Sequence, residues 1–140
     1  MYRGTESKLR MELESLKKKY RHHPRKRYFF PLANAYREHK KLNECIETFR
    51  KGLSLYPGYW AAKVALGRAL LEKGDLEEAL RELEEAAPHV PENLLMHELL
   101  ASIYVKQGKL EKAAHQAKLV LFINPSHGTC QDIMDEITKS

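Results

Sequence analysis

The sequence predicts an all-α protein in which three helical hairpins stack side by side, with a further helix at each end. Three observations carry that reading. Pro57, Pro91 and Pro125 stand 34 residues apart both times, and a fixed period of this length marks a repeat array. Sliding the chain by the same step brings Leu32, Leu66 and Leu100 into one column, then Ala33, Gly67 and Ala101, then Tyr36, Leu70 and Tyr104. Within each period the apolar residues recur at steps of three and four in two runs separated by a short polar turn, which is the rhythm of two helices.

The units are residues 26–59, 60–93 and 94–127. Their turns are His39-Lys40-Lys41, Lys73-Gly74-Asp75 and Gln107-Gly108-Lys109. Helix formers such as Ala, Leu, Glu, Lys and Arg fill both runs, and Pro31 falls in a first turn, where proline is tolerated. On the second helix, Leu42, Leu76 and Leu110 align, as do Cys45, Ala79 and Ala113, then Phe49, Leu83 and Ala117, then Gly52, Ala86 and Val120. The small columns have a physical reason, because helix backbones approach closely only where side chains are short. Each closing proline is expected to stop the second helix before the next unit begins. No strand is expected.

At the amino end, Leu9, Leu13 and Leu16 repeat the spacing of Leu42, Ile46 and Phe49 at an offset of 33, and Pro24 falls on Pro57. Residues 1–25 therefore look like the second helix of a degenerate preceding unit, with one unpartnered face that Lys8, Arg10, Glu12, Glu14 and Lys17 to Lys19 keep polar. Residues 128–140 place Ile133, Met134 and Ile137 in the register of a fourth first helix, and form a capping helix. Two accounts of the half-unit stay open: a short protein capped at both ends, or an excerpt of a longer array.

These residues resemble the tetratricopeptide repeat family: a small residue beside a leucine, a tyrosine or leucine three later, a small residue on the second helix, and a closing proline. The resemblance spans residues 26–127 and is closest in the middle unit, with Leu66, Gly67, Leu70, Gly74, Leu76, Ala79, Leu83, Ala86 and Pro91. It implies a right-handed α-solenoid whose concave face binds other polypeptides without catalysis and without a cofactor. Two departures predict looser local packing. Phe29, Lys63 and His97 stand where the family often has tryptophan, and Gly52 replaces an expected alanine.

The resemblance places the binding surface on the side of each first helix that its own hairpin does not use. Steps of three and four select Arg27, Phe30, Asn34 and Arg37 in the first unit, Ala61, Val64, Arg68 and Leu71 in the second, and Leu95, Glu98, Ser102 and Val105 in the third. Phe30, Val64, Leu71, Leu95 and Val105 are expected to be partly uncovered, and full burial by a partner contributes roughly 1.5 to 3 kcal/mol each. Arg37 and Arg68 can fork onto a carboxylate and favour an acidic segment, while Glu98 and Lys106 set its direction. Ordering on both sides keeps the dissociation constant near micromolar, roughly −8 kcal/mol. An extended peptide and an amphipathic helix both remain open as occupants. The carboxylate clamp known in this family fits poorly. Asn34 matches one clamp asparagine, but Phe30 replaces a lysine, Ala65 an asparagine, and Leu95 and Leu99 a lysine and an arginine.

Composition bounds the rest. With 140 residues, 43% hydrophobic and 31% charged, the chain suits one soluble domain. No window approaches 18 apolar residues and no apolar signal core opens the chain, so a cytoplasmic protein is expected. Cys45 and Cys130 lack the spacing of a disulfide framework or a metal site and read as reduced, structural thiols. His22, His23, His39 and His115 lack a helically spaced ligand pair and read as solvated, phosphate-binding glycine loops are absent, and no nucleophile has an activating neighbour. No metal is expected.

The net charge of +5 is lopsided. Residues 1–27 hold ten Lys/Arg against three Glu, a net of +7, which leaves −2 for the body. Lys17, Lys18, Lys19, Arg21, Arg25, Lys26 and Arg27 put seven cations within eleven residues. Three readings compete: a solvated helix end, an anchor for nucleic acid or an anionic membrane, and a dock for an acidic patch on a protein. The expected function is a non-enzymatic adaptor that holds another protein's segment in the concave trough. The alternative is anchoring by the basic arm with the repeats as spacer. Pairing of two chains through their uncovered terminal helices is also open.

Overall fold

The structure, a computed structural model, describes residues 2–139. In chain order the elements are α1 (Tyr2–His22), α2 (Phe29–Glu38), α3 (Leu42–Leu55), α4 (Trp60–Lys73), α5 (Leu76–Ala86), a 3-10 turn (Ala87–His89), α6 (Leu94–Lys106), α7 (Leu110–Ile123) and α8 (Gly128–Lys139). No strand occurs among the described residues. Helices α2 and α3, α4 and α5, and α6 and α7 pair as antiparallel hairpins. The first helices also meet one another in sequence, α2 on α4, α4 on α6 and α6 on α8, so they form one inner row of the solenoid. Helix α1 packs chiefly on α2, and α8 closes the far end on α6 and α7.

Local chemistry explains most of the boundaries. Lys40, Gly74 and Gly108 occupy one column of the repeat, and all three adopt the left-handed conformation that turns the chain between the helices of a hairpin. Glycine enters that region freely, whereas Lys40 does so at φ 62 with a steric cost. Asp75 and Asn93 cap α5 and α6, their carboxyl and amide oxygens accepting the N–H of Glu78 and of Met96. One boundary departs from expectation. Helix α5 ends at Ala86, well before Pro91, because Pro88 intervenes and the chain continues as a 3-10 turn.

The main core runs through all three hairpins, with Phe29, Phe49, Leu70, Leu83, Met96 and Ile103 among its largest fully buried side chains. A smaller cluster of Ala101, Ala117, Val120, Cys130 and Ile133 seats α8. Looser packing at the family departures does not materialise, because each site has its own fastening. At Gly52 an added Cβ would fall inside the ring of Phe29, so the small residue on α3 is what admits the large one on α2. Lys63 is held between Glu82 and Glu85 of α5, both at 2.9 Å. Burial alone would lower its pKa, but the hydrogen bonds and charges of the two carboxylates outweigh burial and raise it. His97 bridges Gln116 Oε1 at 2.6 Å and the Pro91 carbonyl at 2.7 Å.

The histidines also correct the sequence reading. His22, His23 and His115 are exposed as expected, but His39 is half-buried, with an Nε2 that is buried without a hydrogen-bond partner. His89 stacks on Trp60 with ring centroids 3.8 Å apart.

Candidate functional site

The inner row presents one side of α2, α4 and α6 away from the paired second helices, and the expected groove residues fall into three groups along it. At the first end, Arg27 is exposed just before α2, its guanidinium over the rings of Tyr56 at 5.3 Å and Tyr59 at 4.9 Å. Phe30 is half-buried and meets Phe49 edge-on and Tyr59 at a tilt. Phe30 is therefore wedged into the aromatic corner between α3 and α4, with the exposed Arg27 laid over that corner.

The middle is charged. Arg37 Nε donates to Glu72 Oε1 at 2.7 Å, tying α2 to α4. Arg68, one turn before Glu72 on α4, is half-buried, and its Nε is buried with no hydrogen-bond partner. Asn34 is likewise half-buried, with a buried Oδ1 that accepts nothing. Burial, then the repulsion of Arg37, lowers the pKa of Arg68, while Glu72 and Glu98 counter it, so Arg68 sits within electrostatic reach of all three. At the far end, Glu98 Oε2 lies 3.3 Å from His127 Nε2, and the other ring nitrogen of His127 accepts the Cys130 N–H in the first turn of α8. His127 thus fixes the entry of α8 to the rim of the trough.

The apolar part of the expectation needs correction at one residue. Val64 is 1% exposed, because α4 is enclosed by α2, α3, α5 and α6, and no partner can reach it. Phe30, Leu71, Leu95 and Val105 are half-buried and already lean on the core, Ser102 is half-buried, and Lys106 is exposed. What distinguishes the trough is therefore its charge and its unpartnered polar atoms more than its oily surface. Glu72 and His127 were missed by the sequence reading. Glu72 could have been found four residues after Arg68 on the same helical face, whereas His127 lies in a connection that no periodicity assigns.

The basic patch is not one surface. Lys17 is half-buried, pairs with Glu14 at 3.2 Å and lies over the Tyr36 ring, while Lys18, Lys19, Arg21, Arg25 and Lys26 are exposed and Arg27 lies over the rings of Tyr56 and Tyr59. Lys17 and Arg21 instead border a cleft of about 500 Å³ that α1 forms with α2 and α3, with Tyr20, Leu32 and Tyr36 in its wall. The largest uncovered apolar side chains lie elsewhere, Met11 on α1 at 72% exposed and Phe122 at the end of α7 at 88%. Both cysteines are buried and free, and burial pushes the Cys45 thiol up to about 11 and raises that of Cys130. Among the described residues no three His, Cys, Asp or Glu side chains gather as a metal site requires, and no helix is long and apolar enough to cross a membrane.

Comparison with known proteins bears on this architecture directly. Residues 36–103, from within α2 to within α6, match the family described as tetratricopeptide repeat. That stretch carries tetratricopeptide repeats. No curated protein matches it significantly. Among solved structures it resembles the tetratricopeptide repeat domain of Arabidopsis OM64, at 15% identity and a TM-score of 0.74 over 79% of this chain and 92% of that one. It also resembles MamA from Desulfovibrio magneticus RS-1, at 20% identity and a TM-score of 0.74 over 91% of this chain and 82% of that one. Another MamA crystal structure, 19% identical, reaches a TM-score of 0.80 over 99% of this chain and 87% of its own. At these identities the likeness concerns the fold. Tetratricopeptide repeats generally serve as scaffolds for interaction with other proteins.

Proposed function

We propose that this protein is a non-enzymatic scaffold that holds a segment of another protein against the inner row of its repeats. The observation that carries the reading is the pair of unsatisfied polar atoms in the trough: Arg68 Nε, a donor, and Asn34 Oδ1, an acceptor. A buried polar group without a partner costs about 1 to 3 kcal/mol, and such groups are uncommon in a stable fold. Both side chains are half-buried, so a small rotation turns these atoms toward a ligand that offers one acceptor and one donor and relieves both. The amide groups of an extended peptide do so, whereas those of a helix are already spent on each other. An extended segment is thus favoured over an amphipathic helix, with acidic side chains near Arg37 and Arg68. Since the apolar residues of the trough are already partly covered, affinity rests on these polar contacts and stays near micromolar, roughly −8 kcal/mol.

The test is capture of partners from lysate by the unaltered chain and by Arg37→Glu with Arg68→Glu. Partners lost from the variant, with its helicity and melting temperature retained, support the trough. Identical partner sets remove it from the account. Val64 is unsuitable for such a test, because a charge placed there enters the core.

A further inference from the structure

Helix α8 prolongs the trough. Its buried residues repeat the burial of the earlier first helices at the 34-residue period, with Cys130 in the column of Ala62 and Met96, and Ile133 in that of Ala65 and Leu99. The same register places Asp132 in the column of Phe30, Val64 and Glu98, and Glu136 in that of Asn34, Arg68 and Ser102. Asp132 is exposed. The inner row therefore spans four helices, and its charge changes sign along that span. Arg27, Arg37 and Arg68 stand at the α2 and α4 end against Glu72, which Arg37 already binds. Glu98, which His127 already approaches, and the exposed Asp132 stand at the α6 and α8 end. Lys106 and Lys139 are each the last residue of their helices, on the lip beyond these acids.

Helix axes pack about 8 to 10 Å apart, so α2 and α8 are separated by about 25 to 30 Å. That exceeds the screening length of about 8 Å at physiological salt, so α2 and α8 act on different ligand residues, while Arg68 and Glu98 face each other across the adjoining α4 and α6. An extended chain covers the distance with about eight residues.

We propose that the trough accepts a segment with segregated charges, acidic residues at α2 and α4 followed by basic residues at α6 and α8, about eight positions apart at the extremes, and so binds it in one direction only. The inference rests on the reading of the trough as a binding surface. Docked the other way, the same segment meets like charge at both ends, which is the repulsive element that directional recognition needs.

The experiment uses a displayed library of random twelve-residue peptides selected on the whole chain. Selected peptides are then synthesised with a spin label at one terminus or the other, and broadening of the chain's amide signals is mapped. The expected result is that selected peptides carry their acids and bases in separate halves. A label on the acidic half broadens α2 and α4, a label on the basic half broadens α6 and α8, and shuffling the charge order weakens binding at least tenfold. Asp132→Lys, an exposed change that leaves the core intact, should reduce binding of these peptides several-fold and leave shuffled ones unaffected. Peptides that occupy the trough with mixed charges, or that bind equally well when shuffled, overturn the directional inference and leave the binding surface standing. Selected peptides that perturb no inner-row signal, or a selection that returns no binder, overturn both.

Discussion

Helices α4 and α1 draw on much the same helix-forming residues, yet seven of the fourteen residues of α4 are buried, whereas Leu13 is the one buried residue among the described side chains of α1. The longer helix is the less buried. Helix α4 is enclosed by α2, α3, α5 and α6, while α1 rests chiefly on α2. In a stack whose units touch only their neighbours, burial is set by how many neighbours a helix has more than by its own pattern. Helix α1 leans correspondingly on local terms, its many Leu, Lys and Glu residues and pairs such as Lys17 with Glu14, each worth a few tenths of a kcal/mol.

The sharpest way to break this comparison is to remove equivalent volume from the two regions. Leu83→Ala, at a fully buried site that touches Gly67, should cost about 2 to 5 kcal/mol in urea unfolding, because the enclosed site cannot collapse. An equal loss from Leu13→Ala would show that α1 belongs to the cooperative core, whereas the contrast above expects less than about half as much.

A smaller effect tests the fit of small against large. Gly52→Ala should cost about 1 to 3 kcal/mol by overpacking against Phe29, and in a double-mutant cycle Phe29→Leu should recover part of it. Gly4→Ala on α1, where an added Cβ meets nothing, should cost nothing and can even stabilise the helix. Strict additivity of Gly52→Ala and Phe29→Leu would refute the pairing.

Dynamics should follow the same gradient. In native-state hydrogen exchange the amides of α1 should open at a lower free energy than those of α4, and equal protection would remove the distinction. The smallest expected change is at the first turn. Lys40→Gly should stabilise by about 0.5 kcal/mol, relief of left-handed strain offset by glycine's entropy, whereas Gly74→Ala should destabilise by about 1 kcal/mol, both read from thermal melts.

Much of the fold was legible beforehand for a definite reason. The proline period, the small columns and the apolar steps are local regularities, and each is repeated three times, so that one degenerate copy is corrected by the other two. The misses fall where the repeats differ. Pro88 has no counterpart in the other units, and the pairing of Gly52 with Phe29 joins two substitutions that each look unfavourable alone. The expected groove residues were chosen by column, and a column does not decide the availability of a side chain, since Val64 shares one with the half-buried Phe30 and Glu98 and is nevertheless enclosed.

By itself, then, the sequence determined the hairpins, their number and the direction in which each helix turns its apolar side, because those depend on spacings of three, four and 34 residues along one chain. Only the tertiary structure decided which charges meet. Arg37 finds Glu72 across 35 residues, Glu98 finds His127 across a connection, and Arg68 is left with a buried Nε that no other described residue satisfies. Such pairings depend on the distance and angle between packed helices, quantities that no periodicity encodes.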